Sequence, residues 1–265
     1  MSKELDALTD LRLNARQARI LDVLRRDQVL AVTQLAEALD VSGETIRRDL
    51  RLLSAKGLVE KSHGNVRWRD RSEDQPLQRR MLANMAAKQV IAAAIADEIS
   101  DGESIFLDTG STNNYVAQAL RGRRSLTVVT NSAPIAQHLS TGEGNRVYLA
   151  GGELRADDSA AFGPAAIAFL QQFMVKTAII SASGLDPKLG VMDNHLCEAE
   201  VSRSVIGHCE RVIVGADHSK FGRRCLVAAV DFADVDLLVT DQAPVEDLAA
   251  ELDAHDVEVL VTETR

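Results

Sequence analysis

From residue 104 to residue 261 the chain alternates between short apolar, β-branched runs and longer stretches of helical periodicity. The apolar runs lie at 104–107, 126–130, 146–149, 177–181, 211–215, 236–239 and 257–261. Helical patterns at 112–120, 133–139, 164–172, 196–207 and 245–252 separate most of them. A strand covered on one face alternates apolar with polar residues, whereas these runs are apolar throughout. They therefore need cover on both faces, which is the situation of a mainly parallel sheet with crossover helices. The expected fold class of this region is α/β.

The first 80 residues follow a different pattern. Residues 15–26 carry Ile20, Leu21 and Leu24 at helical spacing, and residues 29–32 break it. Thr33 reads as the N-cap of a helix over 34–39, with Leu35 and Leu39 on one face. Asp40 and Val41 make a tight turn. Ser42 then caps a third helix, running from Gly43 to about Lys56, which Gly57 ends as a C′ glycine. Its inward face is Ile46, Leu50 and Leu53. Two short β-like runs around a Gly64-Asn65 turn follow, up to Trp68. Residues 69–78 are charged and include Pro76, as in a linker, and a long amphipathic helix is expected over 82–99. The domain boundaries implied are 12–68 for a winged helix-turn-helix, 69–81 for a linker and 82–265 for the larger α/β domain.

Charge separates the same two regions. Residues 1–80 hold 16 Lys and Arg against 13 Asp and Glu, a net of +3, and residues 81–265 hold 14 against 26, a net of −12. A small basic segment joined to a large acidic one points to two different partners. Aromatic residues make up only 3%, which disfavours a stacking platform for single-stranded nucleic acid. The third helix presents Glu44, Arg47, Arg48 and Arg51 opposite its apolar face. Such a face can enter the major groove of duplex DNA, with its N-terminal residues at base edges. Ser42, Gly43, Glu44, Thr45, Arg47, Arg48 and Arg51 are the candidate DNA contacts, and His63 and Arg67 join them from the hairpin wing. An arginine face can also be merely solvated. Cap, core spacing and wing in one register favour the groove.

The run Arg16-x3-Ile20-x3-Leu24, followed after seventeen residues by Ser42-x2-Thr45-Ile46-Arg47-Arg48-Asp49-Leu50, resembles the signature of DeoR-type bacterial transcriptional regulators. Arg80, Asn84 and Lys88 continue the resemblance, as do L-D-T-G-S-T, V-T-N-S, L-A-G-G-E-L-R and A-D-H-S-K-F-G. The last two blocks are most similar to the glycerol-3-phosphate regulon repressor branch. The resemblance implies a winged helix-turn-helix joined to a sugar-phosphate-sensing domain, related in fold to ribose-phosphate isomerases and CoA transferases. It also implies that Lys220 sits at the ligand cleft. The chain departs from the family pattern at Ser181-Ala182-Ser183-Gly184, where a further small residue or glycine pair is usual.

The residues themselves support an anion site. Asp108, Thr109, Gly110, Ser111 and Thr112 form a glycine- and hydroxyl-rich turn that leaves a strand and opens a helix. Backbone amides at such a turn can cradle phosphate. Thr130-Asn131-Ser132 and Gly151-Gly152-Glu153 repeat the arrangement after the next two strands. The candidate effector contacts are Asp108, Gly110, Ser111, Thr112, Thr130, Asn131, Gly151, Gly152, Glu198 and Lys220. Asp193, His195, Glu198 and Glu200 either bind sugar hydroxyls or complement a helix dipole.

The expected function is a DNA-binding regulator, a repressor of a sugar or polyol catabolic operon whose operator binding a small phosphorylated metabolite relieves. The rival is a sugar-phosphate isomerase fused to a DNA-binding domain, with Glu198 or Asp108 as base and Lys220 as oxyanion partner. A scaffold without ligand leaves the glycine-rich turns unexplained. No catalytic residue, cofactor or metal is expected, since His195-x-Cys197 and His208-Cys209 lack a ligand spacing. A homo-oligomer, dimer or tetramer, is expected on duplex operator DNA. The polar start M-S-K-E-L-D-A-L-T-D has no apolar signal core, and no run approaches a membrane span, so the expected compartment is the cytoplasm.

Overall fold

The computed structural model describes residues 15–27, 29–55, 59–62, 65–68 and 77–262. The chain divides into two compact units between Asp74 and Gln75.

The first unit contains α1 (Ala15–Asp27), β1 (Val29–Ala31), α2 (Val32–Leu39), α3 (Gly43–Ala55), β2 (Val59–Ser62) and β3 (Asn65–Trp68). Its core gathers Ile20, Leu21, Leu24, Leu35, Leu39, Ile46, Leu50, Leu53, Val59 and Val66. The expected cap at Thr33 is corrected. The helix begins two residues earlier, at Val32, and the Ala31 N–H donates to Gln34 Oε1 at 2.8 Å. A glutamine reaching back satisfies the same orphan donor that a capping side chain would. Asp40 closes α2 in the left-handed region at φ 53°. Ser42 caps α3, its Oγ accepting from the Thr45 N–H at 3.2 Å. Residues 29–31, which read only as a break between helices, pair antiparallel with β3 in a sheet of order β1-β3-β2. Ser62 pairs with Asn65, so Asn65, expected in the turn, belongs to strand β3. Gly57, His63 and Gly64 lie outside the described residues.

The second unit opens with α4 (Leu77–Leu82) and α5 (Met85–Asp97). The continuous helix expected over 82–99 is thus two helices, and α4 occupies residues expected to be linker. The break falls at Asn84, which is left-handed at φ 50°. Asparagine tolerates that conformation better than most residues. Among the described residues, seven strands then form one parallel sheet. They are β4 (Ser104–Leu107), β5 (Thr127–Thr130), β6 (Arg146–Leu149), β7 (Val175–Ser181), β10 (Cys209–Gly215), β12 (Leu237–Thr240) and β13 (Glu258–Val261), in the order β13-β12-β10-β7-β4-β5-β6.

Helices α5, α6 (Ser111–Ala119) and α7 (Ala133–Leu139) cover one face, where Ile91, Ile95, Val116 and Ile135 meet Ile105, Leu107, Val128 and Ile179. Helices α8 (Pro164–Leu170), α9 (Leu196–Ile206) and α10 (Glu246–Ala254) cover the other, against Phe106, Val129, Ala178 and Ile180. Neighbours such as Ile105 and Phe106 thus bury to opposite faces, which is why these strands read as continuous apolar runs. A second sheet, antiparallel and unforeseen, has the order β11-β9-β8, from β8 (Gly184–Asp186), β9 (Gly190–Asp193) and β11 (Val227–Val230).

The strand order places the site. From β4 the chain builds outward through β5 and β6, then returns to β7 on the other side of β4. Open α/β sheets bind ligands at such a reversal, outside the carboxyl ends of the strands. Here the turns that follow β4 and β7 flank the crevice.

Candidate DNA interface and sensor cleft

In α3, Ile46, Leu50 and Leu53 are buried while Glu44, Arg47, Arg48 and Arg51 are exposed. Glu44 pairs with Arg47 at 3.6 Å and with Arg51 at 3.1 Å. Thr45 turns its hydroxyl to Ser42 Oγ at 2.9 Å, so these two side chains shape the helix start. Gly43 opens the helix beside the Arg47 side chain. The wing is present as β2 and β3, but His63 and the side chain of Arg67 lie outside what is described. One feature escaped the pattern reading. Asp49 is 3% exposed, and it accepts from Arg16 Nε at 2.5 Å and Gln17 Nε2 at 3.2 Å. A buried carboxylate held by two partners from α1 fixes the rotation of α3 about its own axis, because leaving it unpaired is costly.

In the second unit the β4–α6 turn lies at the reversal. Gly110 is the N-cap of α6 at φ 136°, with no side-chain cap. A Cβ there would stand 2.5 Å from Ser181 Oγ and 2.8 Å from Ser181 Cβ. Only glycine admits that conformation and that approach of β7. Ser181 Oγ in turn donates to the Thr109 carbonyl at 2.8 Å, bracing the turn from across the crevice. The first-turn amides of an uncapped helix have no intrahelical acceptor. Asn113, fully buried, donates Nδ2 to the carbonyls of Asp108 and Ile179 at 3.0 and 3.1 Å. Its Oδ1 is buried without a partner, as is Ser132 Oγ.

Around this turn lies a nest of buried charge. Asp108 is 2% exposed and accepts from the Thr109 N–H at 2.7 Å. Burial, together with the nearby Asp193 and Glu198 charges, pushes its carboxyl well above the usual range. Asp193 is raised to about 7 by burial and by Glu198, against the pull of Ser183, Lys220 and Arg155. Arg155 faces them. Its guanidinium binds Asp158 and Glu198, reaches Asp157 at 2.9 Å and lies 4.5 Å over the Phe162 ring. Burial raises the Asp158 carboxyl, but hydrogen bonding and charge from Arg155, the Ala160 amide and Arg80 outweigh it and leave it below the usual range.

The expected effector residues divide into three groups. Asp108, Gly110, Glu198 and Lys220 belong to this nest. Lys220 ends a short 3₁₀ turn (His218–Lys220) and acts electrostatically on Asp193, Asp217 and Lys88. Ser111 is half-buried in the first turn of α6, and Gly151 and Gly152 are exposed after β6. Thr112, Thr130 and Asn131 are bracing residues. The Thr112 methyl faces β10 at Gly215. The Thr130 hydroxyl donates to the Leu107 carbonyl at 2.6 Å. Asn131 accepts from the Thr109 N–H at 3.2 Å and donates to the Ala161 carbonyl at 3.3 Å, so it sets the turn's shape. His195 is the N-cap residue of α9, and Glu200 is exposed. Arg155, Asp158 and Ser181 were missed as site residues. Among the described residues no cluster of three or more potential ligands could hold a metal, and no described helix is long and apolar enough to cross a membrane.

Residues 16–72 match the DeoR-like helix-turn-helix domain, and residues 83–242 match the DeoR C terminal sensor domain. The chain belongs to the DeoR family. It is a DNA-binding transcriptional regulator with a C-terminal sensor. It is 38% identical over 228 residues to the transcriptional repressor AccR of Agrobacterium fabrum, covering 85% of this chain and 88% of that protein. It is 32% identical over 240 residues to the glycerol-3-phosphate regulon repressor of Escherichia coli, covering 91% and 95%. Among solved structures, it is similar to eIF2B beta from Chaetomium thermophilum, at 13% identity and TM-score 0.45 over 91% of this chain and 70% of that one. A ribose 5-phosphate isomerase from Plasmodium falciparum matches at 16% identity and TM-score 0.36, over 50% and 51%.

Proposed function

We propose that this regulator represses a sugar or polyol catabolic operon, and that a small phosphorylated metabolite in the switch-point crevice releases it from operator DNA. The observation that carries the reading is the β4–α6 turn. It combines an uncapped helix N-terminus, a glycine at φ 136° and a buried, unpartnered Asn113 Oδ1 where two strand directions part. Amides there suit the phosphate, Lys220 adds a point charge, and the ionised carboxylates accept from the sugar hydroxyls. The relatives named for glycerol-3-phosphate regulons support the ligand class. No cofactor enters this scheme.

On the DNA side, Arg47, Arg48 and Arg51 lie in the major groove, and the wing residues His63 and Arg67 meet the flanking backbone. A single helix-turn-helix covers too few base pairs for genomic specificity, so the operator-bound form is a dimer or tetramer. The effector acts by binding the low-affinity state more tightly. A hundredfold release of operator requires a coupling of about 2.7 kcal/mol. Isomerase chemistry would need a free base, but Glu198 is engaged by Arg155. The test is calorimetry and operator titration with glycerol-3-phosphate and a panel of pentose and hexose phosphates. Binding of the unphosphorylated sugars in preference to the phosphates would overturn the ligand class.

A further inference from the structure

We propose that Arg80 is a positioning residue that clamps helix α4 to the sensor cleft through Asp158, and that the clamped form is the one that binds operator. The inference rests on the preceding reading that an anion at the β4–α6 turn releases the DNA.

Helix α4 is the first element after the segment that connects the two units, and it has six residues. A helix that short has no stability of its own and persists only through tertiary anchors. Those anchors all lead to the cleft. The Leu77 N–H donates to the Asp157 carbonyl at 3.1 Å. The Tyr115 hydroxyl of α6 donates to the Met81 carbonyl at 3.0 Å. Lys88 is buried, and its ammonium donates to the carbonyls of Arg80 and Ala83 at 2.6 and 2.7 Å, closing the C-terminal end of α4. Asn84, the residue that breaks the helix, donates to Asp217 Oδ1 at 2.8 Å, beside Lys220. Arg80 reaches Asp158 Oδ2 at 3.8 Å.

Asp158 is the shared element. Its fully buried side chain takes the guanidinium of Arg155, that of Arg80 and the Thr109 hydroxyl, the last at 3.4 Å. One carboxylate therefore touches both α4 and the turn assigned to the phosphate. An anion seated on the first-turn amides of α6 repels that carboxylate and competes with it for the two guanidiniums. In a partly dry site this competition is far stronger than on a surface. When Arg80 follows the anion, α4 loses one of its charged anchors. Arg79, the exposed neighbour on the same helix, has no place in this chain of contacts.

The test uses the full chain and needs no effector. Arg80→Gln removes the charge, Arg80→Lys keeps it, and Arg79→Gln is the control. Hydrogen exchange read by mass spectrometry should show the α4 amides of Arg80→Gln exchanging about tenfold faster, with α6 and β4 unchanged. Fluorescence anisotropy should show its operator affinity falling about tenfold without any ligand. Arg80→Lys should recover most of both effects, and Arg79→Gln should change neither. Unchanged α4 protection in Arg80→Gln, or operator affinity within about twofold of the parent, overturns the clamp. Global loss of protection would mean a folding defect instead of a clamp and would equally overturn it. Titrating the parent with glycerol-3-phosphate, glucose-6-phosphate and inorganic phosphate separates the two ideas. If Arg80→Gln loosens α4 but none of these releases operator from the parent, the clamp stands and the phosphorylated-effector reading fails. If they release parent and Arg80→Gln alike, with α4 equally protected in both, the reading stands and the clamp fails.

Discussion

Replacing Asp193 by Asn removes one proton-binding group from the buried carboxylate nest and keeps the shape that meets Ser183. In the folded chain this carboxyl is raised from 3.8 to about 7, by burial first and by Glu198 second. In the unfolded chain it is an ordinary aspartate. Between these two values the folded form holds a proton that the unfolded form has lost, so stability falls as pH rises. The loss begins near pH 4 and levels off above pH 7. Between pH 5 and pH 8 it comes to roughly 2–3 kcal/mol for a single group with these two constants. The Asn variant lacks this contribution, so its stability should fall by that much less over the same range. It should also be the more stable protein at pH 8. Urea unfolding followed by circular dichroism at pH 5, 6, 7 and 8, on parent and variant, reads the difference directly. Parallel pH profiles for the two proteins would refute the reasoning, because they would mean that Asp193 titrates alike in both states.

Three further outcomes follow from the two sites. Arg48→Ala should weaken operator binding by about 1–3 kcal/mol in a mobility-shift titration, with an unchanged melting curve, since Arg48 is exposed on α3. Unchanged affinity would remove α3 from the groove. Gly110→Val places a Cβ about where Ser181 Oγ stands, 2.5 Å from it, so the turn must shift. That variant should still bind operator but give no calorimetric heat with glycerol-3-phosphate, and undiminished heat would place the phosphate elsewhere. Footprinting should find paired half-sites spaced by ~10 base pairs or a multiple. A single short site occupied by a monomer in the ultracentrifuge would reject the oligomer.

Periodicity made the scaffold legible. Each of the seven apolar runs is a strand of the parallel sheet, with ends shifted by at most two residues, as at 175–181 against the expected 177–181. The inward stripe of α3 is Ile46, Leu50 and Leu53, as its spacing implies. Strands β1, β8, β9 and β11 went unread because, unlike the equally short β4, β5 and β6, they do not belong to the regular strand–helix alternation. β1 and β11 pair with distant partners, as Val29 does with Arg67 and Val227 with Asp193, whereas β8 and β9 form a local hairpin. The break at Asn84 was hidden for a related reason. Nothing local forbids a helix through Ala83 and Asn84, and the contacts that favour the turn come from Asp217 and Lys88. Within the cleft, glycines and hydroxyls after strands marked the right edge of the sheet. They did not distinguish side chains that face the crevice from those that brace it, such as Thr130 and Asn131. Arg155 ends the L-A-G-G-E-L-R block and lies near Asp157 and Asp158, but its pairing with Glu198, 43 positions away, comes only from the fold.

The acidity of the second unit is compatible with an anionic ligand once the charges are placed. Residues 81–265 carry a net charge of −12, and a dianion approaching from solution meets that field at long range. Salt screens it beyond ~8–10 Å, so affinity is decided by groups closer than that. At that range the crevice is not uniformly negative. Asp108 and Asp193 are pushed toward their neutral forms, Asp158 and Glu198 are matched by Arg155, and the α6 amides and Lys220 are positive. A bound phosphate disfavours ionised Asp108 and Asp193 further, so binding should draw protons from solution. Calorimetry of glycerol-3-phosphate in buffers of different ionisation enthalpy would count those protons. Proton release on binding, rather than uptake, would contradict this assignment of charges.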